Sequence, residues 1–212
     1  MRYYPVYLDL QGRPCVVIGG GRLAEEKVRG LLAAGAAVTV IATDVDTEIR
    51  EAVGTGRITW IPRVYQRGDL AGAALAFVAG QDPETVAAVW REGKERGTLI
   101  NTVDDVPHCG FIAPSIVRRG DLTVAISTSG KAPALAVRLR QRLEGMLGDE
   151  HARFLEMAGT IRQPLAERHP DFATRRELWY RLVDSDVLDL LRSGDETSAR
   201  ARFEEILGVL PA

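Results

Sequence analysis

Residues 15–44, CVVIGGGRLAEEKVRGLLAAGAAVTVIATD, join an apolar run to three consecutive glycines, a helical pattern and a second apolar run. An apolar run ending at glycine reads as a strand buried on both faces. After the glycines, Val28, Leu31 and Leu32 recur at helical spacing toward a sheet, Gly35 ends the helix, and VTVIA restarts a strand. The alternation continues outward. PCVVIG, a helix from Arg22, AVTVIA, a helix around Asp46 to Val53, RITWI, ALAFVAG, a helix from Pro83 to Arg96 and TLIN follow in order up to about residue 101. Strands alternating with helices predict a parallel sheet with helices on both faces.

The glycines have a chemical reading. Gly19, Gly21 and Ala24 fit G-x-G-x-x-A between a strand and a helix, the arrangement that binds a dinucleotide. Gly19 permits the tight turn, Gly21 lets the backbone approach a pyrophosphate, and Ala24 lets the helix pack close on the strand. The helix N-terminus then offers unpaired N–H groups to the phosphates. The acid that reads the ribose belongs about 20 residues further on, where Thr43 and Asp44 stand. No Lys or Arg occurs between Val38 and Ile49, so nothing local is expected to neutralise a 2′-phosphate, which points to NAD rather than NADP. Asp44 could equally serve as an N-cap, a role open to Thr43 and Asp46 as well.

Composition narrows the class. With 212 residues, 46% hydrophobic and 26% charged, the chain has ample core for one large domain or two smaller ones. A net charge of -2 argues against a basic nucleic-acid face. No apolar run approaches the ~18 residues of a membrane span, and the N-terminus has no signal-peptide core. Cys15 and Cys109 have no metal-like spacing, and neither do His108, His151 and His169, so no protein-bound metal is expected. The expected location is the cytoplasm.

The pattern changes after residue 101. FIAPSIVRRGDLTVAISTSG reads as a hairpin turning at Arg119-Gly120-Asp121, which is antiparallel and cannot continue the βαβ series. Beyond Pro133 the chain is helical, with Leu135, Leu139, Leu143 and Leu147 on one stripe and breaks at His169-Pro170 and Ser193-Gly194.

Two loops carry further chemistry. Residues 101–111, NTVDDVPHCGF, crowd Asn101, Asp104, Asp105, His108 and Cys109 into the loop beyond the last parallel strand, where such sheets bind ligands. The adjacent carboxylates could supply a general base. Equally, the loop could be an Asx-type turn with His108 in solvent. Residues 126–133 place Ser127, Thr128, Ser129 and Lys131 ahead of a helix with Pro133 near its first position. That is an anion site or a simply capped helix.

VVIGGGRLAEEKV, LINTVDDVPHCGFIAPSIVRRGDLTVAISTSGKAPALAVRLR and the aromatic-apolar N-terminus together resemble the precorrin-2 dehydrogenase family, whose members occur alone or as the N-terminal part of siroheme synthase. The match is strong from about residue 3 to 147 and weaker over the tail. It implies an α/β fold: a Rossmann-type NAD-binding domain (1–112), a hairpin and helix dimerisation region (113–148) and an all-helical C-terminal domain (149–212), assembled as a homodimer. The implied reaction is NAD-dependent oxidation of precorrin-2 to sirohydrochlorin, in some members with Fe²⁺ insertion to give siroheme. The implied catalytic residue is Asp104. Implied cofactor contacts fall on Arg22, Leu23, Thr43 and Asp44 beside the glycines, with Asn101, Thr102 and Val103 near the nicotinamide. The implied substrate segment is Ser127, Thr128, Ser129 and Lys131. Arg118, Arg119 and the arginines of the following helix are further candidates for the substrate's carboxylates. The family often has STGGKSP where this chain has Ser129 and Ala132, and some relatives carry a regulatory serine where it has Thr128. Two other classes compete. An NAD(H)-sensing regulator needs a DNA-binding segment, and no basic recognition helix precedes Cys15. A dehydrogenase of another small substrate predicts a Tyr-x-x-x-Lys or His pair, which the first domain lacks.

Overall fold

The computed structural model describes residues 3–211. Contacts divide it into two units, residues 1–113 and 114–212. In the first, strands β1 (Pro14–Ile18), β2 (Ala37–Ile41), β3 (Thr59–Ile61), β4 (Leu75–Val78) and β5 (Leu99–Thr102) form one parallel sheet in the order β3-β2-β1-β4-β5. The period-2 geometry of a strand sends alternate residues to opposite faces. Cys15 and Val17 of β1 therefore join Val38 and Val40 of β2 in one core, with Ala24, Val28 and Leu31 of helix α1 (Arg22–Ala33). Val16 and Ile18 join Ala76 and Val78 of β4 in the other, with Val86 and Val89 of helix α3 (Pro83–Arg96). Both faces are covered, which is why these strands are apolar throughout.

The helix ends follow from their residues. Asp82 caps α3 by accepting the N–H groups of Glu84 and Thr85, each at 3.0 Å. Pro83 takes the first position, where no N–H is needed, and Gly97 closes the helix at φ +74°. Helix α2 (Thr47–Gly54) has Asp46 at its N-cap position, so Asp44 is not a cap. Between β3 and β4 the chain crosses the sheet without a helix. Its ligature is Glu92 of α3, 1% exposed, which accepts from Tyr65 Oη (2.5 Å), the Gly68 N–H (2.8 Å) and Arg96 Nε (2.5 Å).

The second unit begins with the expected hairpin, β6 (Ser115–Arg119) and β7 (Leu122–Ile126), antiparallel with Arg119 opposite Leu122. Helix α4 (Pro133–Met146) packs on it. Helices α5 (Asp149–Arg168), α6 (Phe172–Val183), α7 (Val187–Ser193) and α8 (Glu196–Leu207) enclose a separate core of Met157, Ile161, Leu165, Leu182, Leu191, Phe203 and Leu207. The hairpin and these helices belong to one unit, which spans both segments expected after residue 112. Among the described residues no helix is long and apolar enough to cross a membrane.

Candidate functional site

In this strand order the chain leaves β1 toward β2 and β3, then crosses back to β4 on the other side of β1. The crevice between the ends of β1 and β4 is thus the switch point where open α/β sheets bind ligands. The glycine turn fills it. Gly19 has φ +120°, and a Cβ there would lie 2.1 Å from the Ala79 carbonyl oxygen. At Gly20 a Cβ would lie 1.9 Å from the Asp44 carbonyl oxygen. The turn is wedged between the loops after β4 and β2, so the middle glycine, which the fingerprint leaves unspecified, is as constrained as the first. Gly21 instead faces open space: its nearest neighbour would be Asp46 Oδ2 at 3.9 Å. It begins α1 with no side-chain cap, and the first N–H groups of a helix have no carbonyl one turn back.

Beside this turn is a pocket of about 230 Å³ lined by Gly20 to Ala24 and Ala79 to Gln81. A second, of about 180 Å³, is lined by Gly80, Gln81, Pro83, Val86, Thr102, Val103 and Asp105. The two share Gly80 and Gln81 and together follow the ends of β1, β4 and β5. Of the expected contacts, Gly21, Arg22 and Leu23 line the first pocket and Thr102 and Val103 the second. Gly19 shapes the turn from below. Asn101 lines neither pocket: it is buried and its Nδ2 donates to the Phe111 carbonyl at 2.9 Å, closing the loop after β5. The Ala79–Gln81 wall follows directly on the end of β4.

The loop after β5 is tightly folded. Thr102 Oγ1 donates to the His108 carbonyl (3.0 Å), and the Cys109 thiol to the Thr102 and Asp105 carbonyls (3.2 Å each). His108 does not stand alone in solvent. Its Nδ1 lies 2.7 Å from Asp105 Oδ2, and its ring meets Trp90 edge-on at 6.0 Å. Of the two adjacent carboxylates, Asp105 is the more buried and is engaged by His108, whereas Asp104 is exposed and holds φ +60°. A non-glycine residue in that region is uncommon and clusters at functional sites.

Thr43 and Asp44 lie exposed just past β2. Here one expectation needs correction. Arg50, one position beyond the window that holds no cation, is brought back by the first turn of α2. Its Nη2 lies 2.8 Å from Asp44 Oδ1 and 3.0 Å from the Val45 carbonyl oxygen, and its guanidinium sits over the Trp60 ring at 5.4 Å. A sequence window counts neighbours along the chain, and a helix turn brings in residues from outside it.

In the second unit, Ser127 Oγ accepts the Ser129 N–H (3.0 Å) and Thr128 Oγ1 the Ala132 N–H (3.3 Å), shaping the loop before α4. Ser129 and Gly130 both have positive φ, +54° and +77°. Arg119 donates to the Glu144 carbonyl (2.9 Å) and Arg140 pairs with the Glu144 carboxylate. Arg118, Lys131 and Arg142 carry no ion pair among the described residues.

A parallel sheet with a glycine turn at its switch point, and a two-part cleft along the strand ends, defines a dinucleotide-binding α/β protein. The family described as "Putative NAD(P)-binding" matches residues 6–115, "Sirohaem biosynthesis protein central" matches 119–146 and "Sirohaem synthase dimerisation region" matches 150–207. The chain belongs to the family described as putative NAD(P)-binding. Siroheme synthase of Photobacterium profundum is 38% identical over 200 residues, covering 94% of this chain and 43% of that one. Siroheme synthase of Chromobacterium violaceum is 34% identical over 205 residues, covering 97% of this chain and 44% of that one. The chain thus spans less than half the length of these curated relatives. A solved structure, "SirC, precorrin-2 dehydrogenase", matches with a TM-score of 0.80 and 26% identity over 98% of this chain and 100% of that one.

Proposed function

We propose that this chain oxidises precorrin-2 to sirohydrochlorin with NAD⁺, as a cytoplasmic homodimer, and that the same site inserts Fe²⁺ to give siroheme. The observation that carries the reading is the loop after β5. It presents an exposed Asp104 in a left-handed conformation, between Val103 and Asp105, which line the second pocket. The likeness to a precorrin-2 dehydrogenase over nearly the whole of both chains supports the substrate.

The residues divide the work. Backbone N–H groups at the start of α1 would hold the pyrophosphate, and Asp44 would accept from ribose hydroxyls. Thr102 and Val103 wall the nicotinamide end. Bound there, NAD⁺ supplies the acceptor for the hydride that leaves the macrocycle. Asp104 takes the accompanying proton, so that two electrons and two hydrogens leave the substrate together. Asp105, bonded to His108, holds the loop that aims Asp104. For chelation, Asp104 accepts the pyrrole N–H protons that Fe²⁺ displaces. The Ser127–Lys131 segment and Arg118 meet substrate carboxylates, since a chain of net charge -2 needs local cations for an acidic substrate.

Anaerobic incubation with precorrin-2 tests this. The sirohydrochlorin spectrum should develop with NAD⁺ and not without it, and should change again on adding Fe²⁺. No NADH and no spectral change with NAD⁺ would refute the dehydrogenase reading. An unchanged sirohydrochlorin spectrum with Fe²⁺ would remove only the second activity.

A further inference from the structure

The reading of the cleft leaves Arg50 without a role. As an ion pair between exposed side chains, Arg50–Asp44 is worth little to stability. Yet its guanidinium is held from three sides. Besides Asp44 Oδ1 at 2.8 Å, it donates to the Val45 carbonyl at 3.0 Å and lies over the Trp60 ring at 5.4 Å. Trp60 is itself fixed, its Nε1 donating to the Ala42 carbonyl at 2.9 Å. Only one of these three anchors is the Asp44 carboxylate. Removing the Asp44 charge therefore leaves the guanidinium in place at the end of β2, stacked and unpaired. The neighbouring Glu48 is already paired with Arg29 at 2.5 Å.

We propose that Arg50 is a second specificity-determining residue of the cofactor site: Asp44 occupies it in the resting chain, and once freed it receives a 2′-phosphate. The inference rests on the reading of the β2 end as the adenosine-ribose subsite. A planar guanidinium suits phosphate, which it can meet with two parallel N–H bonds. With Asp44 paired to Arg50, a 2′-phosphate meets a carboxylate and finds the guanidinium engaged, which favours NAD. With Asp44 replaced by an uncharged residue, the same site offers an oriented cation. Both residues are needed to set the preference, and one substitution should be enough to change it.

Adenosine 5′-monophosphate and adenosine 2′,5′-bisphosphate are the probes, with calorimetric titration of the unmutated chain, Asp44→Asn, Arg50→Gln and the double variant. These small probes report on the ribose end without turnover. The unmutated chain should prefer the monophosphate. Asp44→Asn should bind the bisphosphate ~10-fold more tightly than the unmutated chain does, the scale of one charge-assisted hydrogen bond. Adding Arg50→Gln to it should remove that gain, while thermal melts show each variant folded. If the gain survived in the double variant, Asp44 alone would set the preference and the role of Arg50 would be overturned. If neither probe bound any variant, the reading of the subsite would fall, and this inference with it.

Discussion

At Asp104 the φ of +60° costs an ordinary residue about 1–2 kcal/mol, an amount that a glycine would not incur. A residue that is strained and exposed contributes nothing to the core, so stability and catalysis can be separated there. Asp104→Asn keeps size and tolerates the left-handed region but cannot act as a base. It should lower kcat for sirohydrochlorin formation by ~10²–10⁴-fold with NAD affinity unchanged. Asp104→Gly should be as inactive, yet melt at the same temperature as the unmutated chain or higher. A variant that lost activity only by unfolding would return Asp104 to the status of a turn residue. Asp105→Asn should be milder, because it weakens the hold on His108 and leaves the base intact. The sequence placed both carboxylates in the loop after β5, where from spacing alone a base and a simple turn read alike. What spacing does not show is a pairing three residues apart, Asp105 with His108, and a backbone angle that aspartate does not encode. Arg50 was hidden for a related reason, since its contact with Asp44 depends on how α2 leaves its loop.

Elements with strong end signals were the most legible. Helix α3 runs from Pro83 to Arg96 as expected, because Asp82-Pro83 and Gly97 fix both ends. The link from β3 to β4 was not legible. Beside the Arg63–Asp69 pair within it, the link is tied to α3 by Glu92, an acid on the buried face of a helix, where apolar periodicity gives no warning of a charge. Burial pushes the Glu92 carboxyl up, but hydrogen bonds from Tyr65, the Gly68 N–H and Arg96 outweigh it and hold the carboxyl below its usual range. Burial and Glu92 in turn push the Tyr65 phenol up, keeping it the donor. A depressed folded-state value means the stabilisation is fully present above the unfolded carboxylate value, ~4.3, and is lost as pH falls through the folded value. Glu92→Gln retains an acceptor but not the charge, and should cost about 1–2 kcal/mol in urea unfolding at pH 7. Its deficit should shrink below pH ~4 as the native carboxyl protonates. A deficit constant from pH 7 to 3 would mean that shape, not charge, holds the link. Glu92→Leu, which leaves the Tyr65 hydroxyl and Gly68 N–H without their acceptor, should cost more, about 2–4 kcal/mol.

For the whole molecule the question is what meets the leucine stripe of the second unit. Leu135, Leu139 and Leu143 are on helix α4 as the spacing predicts, but Leu147 falls just past its end as the extended C-cap residue, and the one residue that α4 fully buries is Ala136. Leu139 and Leu143 are half-buried, while Leu135 is 53% and Met146 70% exposed, and Ile116 of β6 is 39% exposed. Eleven residues is three helical turns, so Leu135 and Met146 share a face. A helix that repeats leucine so regularly and leaves that face open would suit a partner, and a second copy of the chain fits our proposal of a homodimer. The matched dimerisation region, residues 150–207, offers a rival surface, since Phe172 and Tyr180 of α6 are 69% and 64% exposed. Charge placed on one surface at a time separates them. Light scattering at micromolar concentration should give twice the 23.1 kDa chain mass. Leu135→Glu with Met146→Glu should give the single-chain mass with helical circular dichroism retained, because neither side chain is part of a core. Phe172→Glu with Tyr180→Glu should leave the mass doubled. The reverse outcome would move the interface to the tail helices, and a single-chain mass for the unmutated protein would end the dimer proposal.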